Sequence, residues 1–166
     1  MTVRKRKTLL TAVALTAGLT LAAVTPALAG TGASHTTRAA AVSTAQGDPR
    51  DVTQRVADFY GAYIDAVWDG EDPSAAAGAK ALRAFYLSPA AQRHVAAYEA
   101  RNHADGILFA QNVPVKWKVA CTGSGAGHAT SRVTLTWSDG AGAEVSKIDV
   151  LSDLKTRRIT DLKPVD

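Results

Sequence analysis

The chain has 166 residues, 46% hydrophobic and 20% charged, enough apolar content to bury the core of one ordinary domain. Its single cysteine excludes an intramolecular disulfide framework and a cysteine-built zinc site. The formal charge of +4 belongs to the N-terminus: four of the 19 basic residues and none of the 15 acidic ones fall in residues 1–29, which leaves 15 of each beyond. No GxxxxGK[ST] loop and no HExxH is present, so the common nucleotide and zinc-protease readings fail.

Residues 1–29 read as a secretory signal peptide. Arg4, Lys5, Arg6 and Lys7 form its basic start, and Leu9 to Val24 its apolar stretch. Ala27-Leu28-Ala29 then supplies the small-x-small cleavage pattern before Gly30. The apolar run is about 16 residues, shorter than the roughly 20 that span a bilayer. The expected product is secreted, to the extracellular space or to the periplasm where the host has an outer membrane, with no stable membrane anchor after cleavage. Residues 30–47 are small and polar and read as a flexible leader. Residues 48–166 are then one domain.

Three helix starts follow in quick succession. Asp48-Pro49-Arg50-Asp51 places Asp48 at an N-cap and Pro49 in the first turn. Val52, Val56, Phe59, Tyr60, Tyr63, Ile64 and Val67 recur at steps of three and four, one buried stripe on a helix to about Trp68. Asp72-Pro73 opens a second helix reaching Leu87, and Ser88-Pro89 a third running to about Asn102, with Ala91, Val95 and Tyr98 inward.

From Val113 the period becomes two. Val115, Trp117, Val119 and Cys121 alternate with Lys116, Lys118 and Ala120, and residues 122–127 read as a Gly-rich turn. Val133, Leu135 and Trp137 alternate with Arg132, Thr134 and Thr136 in a second strand. A third spans Val145 to Leu151 and a short fourth Arg158 to Leu162. Helices in one run and strands in the next predict an α+β domain, with N-terminal helices on the apolar face of an antiparallel four-stranded meander.

That order resembles the nuclear transport factor 2-like superfamily, the cystatin-like α+β cone, and within it exported bacterial proteins of unknown function. The likeness rests on Val56-Ala57-Asp58-Phe59-Tyr60-Gly61-Ala62-Tyr63, on Leu87-Ser88-Pro89, and on Asp105 to Pro114 leading into the first long strand. It covers roughly residues 50–163, and Arg157-Arg158-Ile159 lacks the aromatic residue common in the last strand of such proteins. The resemblance implies a curved sheet and a cone with a pocket at its open end.

Tyr60, Tyr63 and Tyr98 from the helices, with Trp117 and Trp137 from the strands, are the candidate lining of that pocket. Aromatic rings with a polar edge can both stack on a small organic ligand and hydrogen-bond it. Core filling is the simpler role for the two tryptophans. Enzymes of the superfamily commonly use an Asp or His deep in the cone, often beside a Tyr. Asp105 is the best such acid here, although a capping role explains it equally well. His94 and His103 are nine residues apart and share no helical face, so no metal site and no cofactor is expected. Cys121 reads as a small buried hydrophobe. Lys116 with Lys118 and Arg157 with Arg158 are the only hints of a basic patch, so no nucleic-acid partner is expected.

The expected function is an exported, non-catalytic binding or interaction module, a monomer or weak homodimer, able to hold a small apolar or aromatic ligand in the cone. The alternative is a small-molecule lyase, isomerase or hydrolase on the same fold. An interaction through the outer sheet face, with Lys116, Lys118, Arg132, Thr134 and Thr136, is a third reading.

Overall fold

Each helix begins at a side chain that satisfies one of its free backbone N–H groups. The structure, a computed structural model, describes residues 46–165; the expected signal peptide and most of the leader lie outside them. Helix α1 (Val52–Trp68) is capped by Asp51, whose carboxylate accepts from the Gln54 N–H at 2.9 Å. The cap expected at Asp48 is therefore one turn too early: Asp48 binds Arg50 in the turn before the helix. Helix α2 (Pro73–Tyr86) and helix α3 (Pro89–Asn102) start as expected, at the caps Asp72 and Ser88 with proline in the first turn.

Strands β1 (Lys116–Gly125), β2 (His128–Thr136), β3 (Val145–Asp153) and β4 (Ile159–Val165) form one antiparallel sheet in the order β1-β2-β3-β4. Residues Thr122–Gly125, expected in a turn, belong to β1. The register slips between Cys121 and Gly123, and the turn shrinks to Ala126 and Gly127, both at positive φ as a tight hairpin requires.

The sheet is open, and the expected cone is overturned. Strands β1 and β4 are its two edges and do not pair with each other, and the sheet is neither closed nor strongly curved. Alternation specifies which face of a strand is covered, but closure depends on tilt, stagger and bulges that alternation does not encode. The β4 edge is partly covered, because the Ser88 N–H donates to the Ile159 carbonyl at 2.8 Å, and Pro164 removes one further donor.

The alternation itself was read in the right phase. Val133, Leu135, Ile148, Val150, Ile159 and Leu162 are buried on the helix side, against Val56, Phe59, Tyr60, Tyr63 and Ile64 of α1. Helix α1 lies on β1 and β2, α3 lies beside β4, and α2 packs on α1 away from the sheet. Between α3 and β1 the chain dips inward, burying Ile107 and Leu108 completely or nearly so. Gly106 makes that dip possible, since a Cβ there would stand 2.8 Å from the Val95 carbonyl oxygen of α3.

Candidate functional site

The five aromatic residues expected to line one pocket are distributed over four places. Tyr60 and Tyr63 are fully buried, packed with Phe59 at ring distances of 5.4 and 5.5 Å. Trp117 lies on the helix side of edge strand β1, close against Gly61, and stays 38% exposed because no strand flanks it outside. Trp137 follows β2, half-buried against the core, and donates its indole N–H to Ser146 Oγ at 3.1 Å. Tyr98 faces a different region, edge-on to Phe109 at 4.8 Å. Cys121, expected to be buried, is exposed; it shares the helix-side face with Ser131, but at the open edge where little covers it.

Under the three helices lies a polar cluster built around Asp105. One carboxylate oxygen accepts from the Ile107 and Leu108 N–H groups at 2.7 and 2.8 Å. The other accepts from the Tyr63 hydroxyl at 2.5 Å and from Arg83 at 3.0 Å. Arg83 also donates to the Tyr63 oxygen and pairs with Glu99 at 2.8 Å, while Glu99 accepts from the Gly106 N–H at 3.1 Å. Tyr60 donates to the Ile107 carbonyl at 3.2 Å. Burial, reinforced by the Asp105 charge, pushes both phenols well above the ordinary tyrosine range. For Arg83 burial acts to lower the pKa, but hydrogen bonds to Glu99 and Tyr63 outweigh it and hold the guanidinium firmly charged.

Asp105 thus caps the 105–108 turn and also sits beside a tyrosine. Its capacity is taken up by protein donors, so the cluster ties α1, α2, α3 and the 105–108 turn together. Arg83 and Glu99 were not singled out from the sequence. A signal for Arg83 was present, since it stands between Leu82 and Phe85-Tyr86, a cation among the apolar residues that end α2.

The second feature is a groove of about 380 Å³ between α3 and β4. His94, Tyr98 and Arg101 supply one wall, Asp161 and Lys163 the other, and Val95, Phe109 and Leu162 contribute apolar surface. Asp161 lies 3.2 Å from the Lys163 ammonium and 3.4 Å from His94 Nδ1. Phe109 holds a positive φ of 55°, a backbone state that costs a bulky residue roughly 1–3 kcal/mol and persists only where packing fixes it. Among the described residues no group of three potential ligands could hold a metal ion, and no helix is long and apolar enough to cross a membrane.

A similar fold occurs in the crystal structure of a protein of unknown function from Bacteroides thetaiotaomicron VPI-5482. It superimposes with a TM-score of 0.57 at 19% identity, over 68% of this chain and 88% of that one. The likeness is one of fold. No protein-family model and no curated protein matches the sequence. What is shared is the α+β architecture, in a distant bacterial protein, and this level of identity carries no residue roles across.

The other histidines and charged residues are dispersed. His103 forms the left-handed C-cap of α3, and His128 opens β2. Asp149 lies on the outer sheet face paired with Arg132 at 2.8 Å. Lys116 pairs with Asp139 at 2.6 Å. Arg157 and Arg158 donate to the carbonyls of Pro49 and Leu87 at 2.9 and 3.1 Å.

Proposed function

We propose that this is an exported, non-catalytic binding module that meets its ligand at the surface and not in an interior cavity. The observation that carries the reading is the saturation of Asp105. A general acid or base must exchange a proton with a substrate within hydrogen-bond reach. Asp105, the best-placed acid, instead accepts four hydrogen bonds from Ile107, Leu108, Tyr63 and Arg83. The buried aromatic cluster supports the same reading, because Phe59, Tyr60 and Tyr63 fill the space beneath α1 that a deep pocket would occupy. In this view the likeness to the nuclear transport factor 2-like superfamily is one of element order, helices followed by a meander. Export rests on the basic, apolar and Ala27-Leu28-Ala29 segments of residues 1–29.

The alternative, a lyase, isomerase or hydrolase, draws on the surface hollow beside Asp105, which Glu99, His103 and Gln111 also line. A library of small organic molecules incubated with the purified protein and followed by NMR separates the two. Binding without conversion is the expected result, and turnover of any compound that Asp105→Asn abolishes would overturn the non-catalytic reading. Fractionation of the host with N-terminal sequencing tests export: the expected N-terminus is Gly30, and intact Met1 on the exported protein would refute cleavage.

A further inference from the structure

On α3, His94, Tyr98 and Arg101 stand at i, i+4 and i+7, so an imidazole, a phenol and a guanidinium follow one another along about 10 Å of one helix face. All three line the groove against β4. Its charges are unequal. Among the described residues Asp161 is the one acid lining it, and Lys163 and His94 already face that carboxylate. Arg101 makes no ion pair among the described residues, so none of them opposes its positive charge at one end of the groove.

The apolar part is equally particular. Tyr98 and Phe109 meet edge to face, with Val95 and Leu162 beside them. The Tyr98 hydroxyl makes no hydrogen bond within the described residues, although the ring itself is half-buried. A volume of about 380 Å³ lies within the range of small-molecule sites. An apolar floor with a free phenol and a guanidinium at its end matches an amphiphilic anion.

We infer that the α3–β4 groove binds a small organic anion whose carboxylate or phosphate meets Arg101 and whose aromatic or branched apolar body lies on Tyr98 and Phe109. This rests on the reading of the chain as a binding module and names the ligand class. A cationic ligand is disfavoured, because Asp161 is already engaged and Arg101 would repel it. A neutral ligand would keep the apolar contacts and forgo the charged one.

The test is a titration of the purified ¹⁵N-labelled protein followed by amide chemical shifts. The probes are phenylacetate, phenyl phosphate, benzyl alcohol, benzylamine and inorganic phosphate. Phenylacetate and phenyl phosphate should shift the amides of residues 94–101 and 161–163, at least tenfold more tightly than benzyl alcohol or benzylamine. Inorganic phosphate alone should bind more weakly than phenyl phosphate. Arg101→Gln should raise Kd for phenylacetate at least fivefold, and Arg101→Lys should recover part of that loss. Equal affinity for phenylacetate and benzyl alcohol, no effect of Arg101→Gln, or no shift in the groove with any probe would overturn the inference. Binding elsewhere, for example at the hollow near His103, would refute the groove and leave the binding-module reading intact. Conversion of a groove-bound probe would do the reverse.

Discussion

Replacing Asp105 by Ala removes the acceptor on which four donors converge, and the cost can be worked from the contacts. The Ile107 and Leu108 N–H groups lose a charged acceptor at 2.7 and 2.8 Å. Hydrogen bonds to charged groups contribute about 1.5–3 kcal/mol each. The Tyr63 oxygen still accepts from Arg83, but its O–H loses its only acceptor among the described residues, while Arg83 keeps Glu99. The Asp105 side chain is 22% exposed, which lets water reach part of the vacated site and trims the sum. A destabilisation of about 3 kcal/mol is expected for Asp105→Ala. Asp105→Asn keeps an oxygen for the two backbone donors and loses the charge, so about 1–2 kcal/mol is expected. Urea melts monitored by far-UV circular dichroism, with unchanged slope, measure both. A cost below about 1 kcal/mol for Asp105→Ala, or a greater loss for Asn than for Ala, would refute the account of Asp105 as the anchor of the helix layer.

Two glycine substitutions should part company. Gly106→Ala sets a Cβ 2.8 Å from the Val95 carbonyl of α3, a clash that backbone cannot easily relieve, so the melting temperature should fall clearly. Gly61→Ala meets the Trp117 ring at 2.8 Å, but that ring sits at an open edge and can swing away while the helix gains up to about 1 kcal/mol, so thermal melts should find it near neutral. Trp137→Ala should cost about 2–3 kcal/mol in urea melts, less than the 3–5 of a fully buried aromatic, because Trp137 is half-buried. Cys121 should react with a thiol reagent in the native protein about as fast as in urea, and a demand for denaturant would contradict its exposure. Stability should fall as pH rises above about 10, where unfolded tyrosines ionise while buried Tyr60 and Tyr63 keep their protons. That contribution is complete below pH 10 and lost above it, and Tyr63→Phe should flatten the alkaline decline seen in melts.

The helices were legible because their determinants are local. A cap at Asp72 or Ser88, a proline after it and an apolar step of three or four act within one or two turns, and the observed α2 and α3 begin where these signals stand. The strand phase was legible for a similar reason, since alternation alone decides that Val133 and Leu135 face the helices and Arg132 and Thr134 do not. Neighbourhood across the sheet was not legible. Trp117 and Cys121 alternate as buried residues do, yet β1 is an edge strand, and only the sheet order leaves them exposed. Curvature was beyond reach for the same reason, because the open form of the sheet depends on pairing at its two edges. The Tyr63, Arg83 and Asp105 cluster joins residues 20 to 42 positions apart, and no periodicity reports such a meeting. Charge and burial in three dimensions decided which polar residues became partners, and left Arg101 at the groove without one among the described residues.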